Sequence, residues 1–407
     1  MKYIILLGDG MADYPIEELG NKTPLQAAET ESMDAVVGRG KIGMVQTIPK
    51  KLPPGSDIAN LSILGYDPNR YFTGRAVYEA ASAGVKLDSN DIAFRCNLVT
   101  LTESDGKTIM EDYSAGHITT DEARKIIAEL DKSLGNDRIR FYPGVSYRHL
   151  MVWKDGSENV ETTPPHDISG REITSHLPKG IGSEKILQLI EDARNILSDN
   201  LVNKERVNAS KLPANSIWLW GQGRPIRLPS FKEKYGLTGS VISAVDLIKG
   251  IGVTLDLSPV EVPGATGYLD TNYLGKAEYA LKELQEKDFV FVHVEAPDEA
   301  SHSGDVKNKI KAIENFDKMV VKTVLEGIGQ FEDYKIMVLP DHRTPIVKKT
   351  HTSEPVPFAI CSSASSMEGS KQHVEFSEES AEKSGLFVEN GFELMDYFIK
   401  NSHDGRG

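Results

Sequence analysis

The chain has 407 residues, 39% of them hydrophobic and 26% charged, which is an ordinary composition for a soluble globular protein. This length exceeds what one simple core usually holds, so we expect two domains. The formal net charge of −14 and the pI near 5.3 argue against a general nucleic-acid or anionic-membrane surface.

The first predicted element is a buried parallel strand over residues 2–7 (KYIILL), which ends at Gly8-Asp9-Gly10. Asp9 therefore lies at the carboxyl end of a strand. GDG lacks the third glycine and the spacing of a dinucleotide-binding fingerprint, so by itself it is a weak signal for a ligand site. Considered alone, Asp9 is therefore interpreted as a turn residue. Clusters of ligand-type residues further along the chain make it a candidate metal ligand.

The same N-terminal apolar run is far too short for a signal peptide or a membrane span, and no other segment reaches membrane length. The two cysteines, Cys96 and Cys361, favour free thiols in a reducing cytosol, with one structural disulfide as the alternative. We therefore expect a cytoplasmic protein with no membrane and no nucleic-acid partner, either a monomer or a small homo-oligomer.

A turn and a helix are predicted next. Pro53-Pro54-Gly55 favours a turn, and DIANLSIL can form a helix with Ser56 as its N-cap. Capping alone would explain this serine. In the functional alternative, the helix N-terminus favours anionic groups around the hydroxyl, and a nearby metal lowers its pKa and makes it a nucleophile. The metal-ligand clusters favour the nucleophile.

Residues 91–230 differ in composition and pattern from the segments on either side. Prolines and glycines recur, helical patterns occur near 120–133 and 184–201, and the runs RIRFYPGV, HLMVWK and SIWLW are strand-like. This predicts a smaller α/β domain inserted into a discontinuous domain of residues 1–90 and 231–407. Arginine matches phosphate and carboxylate groups bidentately, although exposed arginines often serve only solubility. The candidate cations in this segment are Arg95, Arg148, Arg171, Arg224 and Arg227.

Ligand-type side chains then occur in two groups, each directly after an apolar run. They are Asp298 and His302 after FVFVHV at 289–294, and Asp341, His342 and His351 after KIMVLP at 335–340. Apolar residues at helical spacing from Ile310 to Ile328 predict a helix between two strands. Ligands of doubly wound sheets bind at the carboxyl ends of strands, and these residue types suit Zn or Mn. Either group alone could be a solvated loop or a helix-face pair, but together they predict a metal site.

Four motifs in this order resemble the archaeal-type branch of the cofactor-independent (2,3-bisphosphoglycerate-independent) phosphoglycerate mutases, within the alkaline phosphatase superfamily. They are GDGMAD, PPGSDIANLSILGYDP, the D-x-x-x-H of APDEASHSGD, and the DH…HT element before PVPF. The resemblance runs from end to end. It implies an α/β, alkaline-phosphatase-like, doubly wound and mostly parallel sheet with an inserted smaller α/β domain. It also implies two divalent metal ions, Mn or Zn, with Mg as a further possibility.

The resemblance further implies roles for individual residues. Asp298, His302 and His351 would hold one ion, while Asp9, Ser56, Asp341 and His342 would hold the other, with Ser56 as the phosphoryl acceptor. Substrate contacts are implied at Arg95, His117, Arg148, Asp167, Arg224 and Arg227 in the insert, and at Lys249 in the metal-binding domain. His117 or Asp167 would act as the acid or base for the glycerate proton.

The implied activity is the interconversion of 2-phosphoglycerate and 3-phosphoglycerate through a phosphoserine, so a small anionic phosphorylated substrate is expected. The insert would act as a cap that excludes water from the phosphoserine. One alternative is a homoserine kinase-like phosphotransferase, because DHRTPIVKKTHTSEPVPFAI and the stretch at 65–82 (GYDPNRYFTG followed by RAVYEAAS) resemble a bacterial subgroup for which that activity is proposed. Another is a metal-dependent phosphatase. The sequence contains no G-x-x-x-x-G-K-S/T nucleotide loop, which modestly favours the mutase.

Overall fold

The computed structural model describes residues 1–364 and 374–400. The chain divides into two compact units, which we call the main unit (Met1–Phe72 with Leu228–Gly407) and the insert (Thr73–Arg227). These boundaries differ from the 90/91 and 230/231 that the sequence suggested. The first boundary lies earlier than expected because the helix Arg75–Ser82 packs on strands of the insert and therefore belongs to that unit.

The main unit is built on an eight-stranded sheet. In spatial order its strands are Ser258–Val260, Gly239–Ile242, Phe289–Val294, Lys2–Gly8, Tyr334–Leu339, Val356–Ser362, Lys41–Val45 and Phe387–Val388. All neighbours pair in parallel except Val356–Ser362, which is antiparallel to both of its neighbours. The predicted α/β class with a mostly parallel sheet is therefore confirmed. The central strands are buried along almost their whole length, which explains their continuous apolar sequences.

Helices connect these strands. The α-helices of the main unit are Pro24–Ala27, Glu31–Gly38, Ser56–Ile63, Pro68–Tyr71, Phe231–Tyr235, Asp246–Thr254, Tyr273–Glu286, Ala296–Ser303, Val306–Asn315, Lys322–Gly327, Glu378–Lys383 and Leu394–Lys400. Short 3-10 helices cover Glu17–Leu19, Ile328–Gln330 and Gly391–Glu393. The predicted strand-helix-strand unit is confirmed, although its helical stretch is interrupted by a π-helical segment at Phe316–Val321.

The strand order determines where the ligand-type residues meet. Lys2–Gly8, the first strand in sequence, lies between Phe289–Val294 and Tyr334–Leu339 and is parallel to both. Gly8 pairs with Val294, and Leu7 pairs with Leu339, so the three carboxyl ends are level. Side chains that follow these three strands therefore share one edge of the sheet.

The insert has its own five-stranded sheet, in which every strand pairs antiparallel. Its strands are Ile92–Ser104, Lys107–Asp112, Ile139–Tyr142, Arg148–Trp153 and Ser216–Gly223, and a separate pair is formed by Val160–Glu161 and Lys179–Gly180. Its α-helices are Arg75–Ser82, Thr120–Leu134, Ser183–Ser198 and Leu201–Asn208, with 3-10 helices at Pro165–Ile168 and Thr174–His176. The two helices predicted from periodicity are thus present.

The helix Thr120–Leu134 illustrates how local sequence sets these elements. Thr119 and Glu122 form a reciprocal capping box at its start. Its buried residues Ala123, Ile126, Ile127 and Leu130 follow the helical repeat and pack into the core of the insert.

Both cysteines are buried free thiols, as the sequence favoured. Across residues 1–364 and 374–400, none of the helices has the length and apolarity needed to span a membrane.

Candidate metal centre

Three carboxylates lie at the shared carboxyl edge of the three central strands. Asp9 directly follows the first strand, and its backbone N–H donates to Val294 O over 2.9 Å. Asp341 follows Tyr334–Leu339, and Asp298 lies in the first turn of the helix Ala296–Ser303. All three are buried. The sheet therefore gathers carboxylates from three distant parts of the sequence.

Asp298, His302 and His351 form one tight set of side chains, which we call the Asp298 group. Asp298 Oδ2 lies 3.0 Å from His302 Nε2 and 3.6 Å from His351 Nε2, and the two imidazole nitrogens are 3.0 Å apart. Ligand atoms around a tetrahedral ion with bonds near 2.0 Å are separated by about 3.3 Å. His302 Nδ1 donates to Lys349 O at 2.9 Å, so Nε2 is the ring nitrogen that faces the group.

Asp9, Ser56, Asp341 and His342 form a second set, which we call the Asp341 group. His342 Nε2 is central to it, at 3.1 Å from Ser56 Oγ and 3.4 Å from both Asp9 Oδ1 and Asp341 Oδ2. The two groups adjoin each other, because the ring centroids of His342 and His351 are only 4.2 Å apart. One ligand atom from each of Asp298, His342 and His351 lies within 4.8 Å of the others. The structure thus brings all seven predicted ligands together.

Ser56 does not cap its helix, so that alternative is wrong. The helix begins at Ser56, the N-cap is Gly55, and no side chain forms a capping hydrogen bond. The hydroxyl is directed to His342 instead. The turn predicted at Pro53-Pro54-Gly55 lies earlier in the chain, where the Leu52 N–H donates to Pro49 O at 3.0 Å, and residues 53–55 form no turn. Ser56 is in the first turn of the helix, where backbone N–H groups lack helical partners.

Two residues beside Asp9 were not singled out from the sequence. His293 Nε2 donates to Asp9 Oδ2 at 2.9 Å, while its Nδ1 contacts Ser243 Oγ at 3.2 Å. Glu295 provides an oxygen within 4.8 Å of oxygens from Asp9 and Asp298. A histidine in the otherwise apolar run FVFVHV was the available signal, since a buried polar side chain at a strand end needs a partner.

The orientation of Asp341 also depends on groups that sequence patterns did not reveal. Its Oδ1 accepts from the N–H of Gly10 at 3.1 Å, and its Oδ2 accepts from Asn60 Nδ2 at 2.9 Å. Asn60 Nδ2 donates as well to Ser56 O at 2.8 Å. Asn60 lies four residues after Ser56, on the same helix face, which was the signal in the sequence. One amide thus fixes Asp341 relative to the helix that carries Ser56.

The pKa values of this site reflect crowded, buried carboxylates. Burial and the neighbouring Asp341 hold the pKa of Asp9 well above its usual range, and burial and Asp298 raise the pKa of Glu295 to about 8. Burial also opposes ionisation of Asp298, but His351 and His302 outweigh it and hold the pKa of Asp298 well below its ordinary value. Bound cations would stabilise the ionised forms of these crowded, buried carboxylates.

The donor set fits divalent metal ions. Asp9 Oδ1 is buried and has no hydrogen-bond donor among the described residues. Four ionised carboxylates (Asp9, Glu295, Asp298 and Asp341) would carry four negative charges, which two divalent cations would balance. Carboxylate oxygens together with imidazole nitrogens are the ligand types that Zn and Mn accept.

In the insert, the nominated residues Arg95 and Arg148 lie around Glu79 together with Arg75. Arg95 Nε is 2.9 Å from Glu79 Oε2, and Arg75 Nε donates to Glu79 Oε1 at 2.9 Å. Burial by itself raises the pKa of Glu79, but Arg95, Arg75 and Arg148 outweigh it and lower the pKa. Three guanidinium groups around one carboxylate leave an excess positive charge. Arg75 was missed, although its spacing of four residues from Glu79 was visible in the sequence RAVYEAAS.

An aromatic cluster extends from these arginines. Arg95 lies 4.5 Å from the centroid of the Trp220 ring, and Arg148 lies 5.1 Å from that of Tyr147. The exposed ring of His117 is 6.2 Å from Tyr147. Arg95, Arg148 and His117 thus share one region of the insert.

Of the other nominated residues, Asp167 adjoins this cluster through His166, whose ring lies 5.3 Å from that of Trp220. Asp167 is exposed, with Oδ1 3.6 Å from His166 Nε2, and Arg224 Nε is 3.2 Å from Glu158 Oε2. Arg171 and Arg227 are exposed. In the main unit, Lys249 Nζ is paired with Glu261 Oε1 at 2.7 Å.

Comparisons with known proteins identify the family of this chain. A family model described as 2,3-bisphosphoglycerate-independent phosphoglycerate mutase matches residues 38–203. A Geobacter sulfurreducens protein named as a probable mutase of this kind is 52% identical over 399 residues, covering 98% of this chain and 100% of the relative. The chain belongs to the 2,3-bisphosphoglycerate-independent phosphoglycerate mutase family. A Methanosarcina acetivorans mutase of the family is 51% identical, with 98% and 100% of the two chains covered.

Two solved structures match the chain over almost its whole length. A Pyrococcus horikoshii protein matches with a TM-score of 0.81 and 28% identity over 100% of this chain and 99% of its own. The cofactor-independent phosphoglycerate mutase of Thermoplasma acidophilum matches with a TM-score of 0.63 and 27% identity, covering 98% and 99%. The match to this mutase includes both the main unit and the insert.

Proposed function

We propose that this chain interconverts 2-phosphoglycerate and 3-phosphoglycerate through a phosphoserine formed at Ser56. The observation that carries the proposal is the position of Ser56 Oγ, 3.1 Å from His342 Nε2 and inside the Asp341 group. Membership of the mutase family favours this activity over the homoserine kinase-like and phosphatase alternatives.

The two groups of side chains would hold two divalent ions, one in each group. When bound, such ions stabilise the charge of a transferring phosphoryl group and lower the pKa of a serine hydroxyl. The chain's own contribution is to hold Ser56 in place. Asn60 ties the Ser56 carbonyl to Asp341, and the positive end of the helix dipole at Ser56 favours the phosphoryl oxygens.

Phosphoryl transfer would then take place in two steps. The Ser56 hydroxyl loses its proton as Oγ forms a bond to phosphorus, the bond from phosphorus to the glycerate oxygen breaks, and that oxygen takes up a proton. The glycerate reorients while it stays bound. Its other hydroxyl then loses its proton and attacks the phosphoserine, the bond from phosphorus to Ser56 Oγ breaks, and Oγ takes up a proton again. His117 or Asp167 would exchange the glycerate proton.

The insert would act as the substrate-binding cap. Its cluster of Arg75, Arg95 and Arg148 carries more positive charge than Glu79 balances, which suits the carboxylate or phosphate of a phosphoglycerate. Retaining glycerate and excluding water are necessary because attack by water on phosphoserine would end in hydrolysis.

A paired assay tests this proposal. The purified protein, reconstituted with Mn, is given 3-phosphoglycerate without nucleotide, and formation of 2-phosphoglycerate is followed by a coupled enzyme. A parallel reaction contains homoserine and ATP. We expect nucleotide-independent isomerisation and labelled phosphate on the peptide that contains Ser56. Phosphorylation of homoserine alone, or release of inorganic phosphate alone, would refute the mutase.

A further inference from the structure

The hydroxyl of Thr344 contacts both groups of candidate ligands. Thr344 Oγ1 lies 2.5 Å from Asp298 Oδ1 and 3.1 Å from His342 Nδ1. Asp298 belongs to one group and His342 to the other. Thr344 is fully buried, so water does not compete for these contacts.

The direction of these two hydrogen bonds follows from the number of protons. A threonine hydroxyl has one proton to donate, and an ionised carboxylate can only accept. The Thr344 hydroxyl therefore donates to Asp298. Its oxygen must then accept from His342 Nδ1, which makes that nitrogen the protonated one of the neutral ring. His342 Nε2 is left with its lone pair, and this is the atom 3.1 Å from Ser56 Oγ.

The surroundings hold Thr344 in this position. Its backbone N–H donates to Ala12 O at 3.2 Å, and its carbonyl accepts from the buried Lys309 Nζ at 3.0 Å. Gly10 leaves room behind the hydroxyl, because a Cβ there would lie 2.6 Å from Thr344 Oγ1 and 2.5 Å from Asp298 Oδ1. The hydroxyl is thus held at a fixed place between the two groups.

We propose that Thr344 is a positioning residue that couples the two halves of the metal centre. Its single hydroxyl orients Asp298 and, at the same time, fixes His342 in the tautomer whose Nε2 faces Ser56. This role rests on the proposed metal centre. Partners that orient ligands in this way typically change metal affinity by about 10–100-fold.

Manganese titration of metal-free protein tests the coupling. Thr344→Val keeps the shape of the side chain but removes the hydroxyl, and Thr344→Ser keeps the hydroxyl. Thr23→Val is the matched control, because Thr23 Oγ1 also donates to a buried carboxylate, Glu378, at 2.8 Å, and neither residue belongs to either group. We expect Thr344→Val to weaken both binding steps by about 10–100-fold. Thr344→Ser and Thr23→Val should bind within about threefold of wild type, well below that range.

The outcomes separate this inference from the proposed centre. Wild-type protein that binds no manganese would remove the centre and the inference together. A folded Thr344→Val protein that binds like wild type, or that loses affinity at one step only, would overturn the coupling alone. Melting of each metal-free variant establishes that it is folded.

The tautomer can be measured in the wild-type protein, which avoids any folding defect. Long-range proton–nitrogen spectra of metal-free protein labelled at its 10 histidines report which ring nitrogen is protonated. The signals of His342 are those absent from His342→Gln. We expect protonation at Nδ1, whereas protonation at Nε2 would overturn the proposed role of Thr344.

Discussion

Ser56 Oγ lies 3.1 Å from His342 Nε2, although 286 positions separate these residues in the sequence. The contact forms because the helix that starts at Ser56 points its N-terminus at the loop after the strand Tyr334–Leu339. A capping serine would direct its hydroxyl into its own helix. This one directs it toward buried ligand-type side chains, which is the arrangement expected of an activated nucleophile.

Replacement of Ser56 by alanine should abolish turnover and preserve stability. Because Gly55 is the N-cap, the substitution removes no cap, and loss of the contact with His342 should lower the free energy of unfolding by only about 1 kcal/mol. Loss of the phosphoryl acceptor should lower kcat by about 10⁴-fold or more. Chemical denaturation and the isomerase assay measure the two effects. An active Ser56→Ala protein would exclude the phosphoserine mechanism.

Replacement of His351 by alanine should remove one ion and leave the other. His351 belongs to the Asp298 group, and its Nε2 is 3.0 Å from His302 Nε2. After reconstitution with Mn and gel filtration, elemental analysis should give about half the wild-type metal content, as expected for a two-metal site. His176→Ala, in a 3-10 helix of the insert, is the control and should keep the full content. Unchanged metal in His351→Ala would show that the ligand assignment is wrong.

Replacement of Gly10 by alanine should damage the centre through steric overlap. Gly10 has φ +61°, and a Cβ there would meet Asp298 Oδ1 at 2.5 Å. Gly20 is a matched control, with φ +67° and nothing within 4 Å of its Cβ position. Both substitutions incur about 1–2 kcal/mol of backbone strain. Gly10→Ala should lose about 1–3 kcal/mol more through overlap and should also bind Mn more weakly. Equal destabilisation and unchanged Mn affinity in both variants would contradict this packing.

The cluster of arginines in the insert should matter for phosphoglycerate more than for a small phosphate ester. Arg148→Met should lower kcat/KM for phosphoglycerate by about 10²-fold or more, as expected when a charged contact worth about 3 kcal/mol is lost. Hydrolysis of an aryl phosphate needs only Ser56 and the metal centre, so it should change little. Arg124→Met alters an exposed arginine of the same unit and should leave both rates unchanged. Equal losses in both assays for Arg148→Met would indicate a structural role.

The stability of the protein should depend on pH through His149. Burial lowers the pKa of this histidine to about 3, and its Nδ1 accepts from the Gly144 N–H at 2.9 Å. An unfolded histidine titrates near 6.5, so between about pH 6.5 and 3 the unfolded chain binds the extra proton. Stability is therefore lost as pH falls through this window, by about 1.4 kcal/mol per pH unit.

His149→Gln removes this contribution. Wild-type protein should lose about 2 kcal/mol more than the variant between pH 6.5 and pH 5. Urea denaturation at the two pH values measures the difference, and contributions from other groups cancel between the proteins. Parallel losses in both proteins would mean that His149 is not buried in its neutral form.

Local sequence determined the elements and the chemistry of this protein. Apolar runs such as KYIILL and FVFVHV predicted buried strands, because only strands covered on both faces are apolar throughout. Aspartates and histidines directly after such runs predicted ligands at strand ends. Those inferences depend on residues close together in the chain, where hydrophobic periodicity indicates which side chains are buried.

Contacts between distant segments were decided only by the tertiary structure. Strand order placed Asp9 between the two downstream clusters, and nothing in the residues near Asp9 encodes that order. His293 and Asn60 are visible in the sequence as polar residues in an apolar run and on the helix face of Ser56, but hydrophobic periodicity does not reveal what these residues or Thr344 contact. Their roles arise from hydrogen bonds at 2.5–2.9 Å to carboxylates, and such distances exist only once the sheet has assembled.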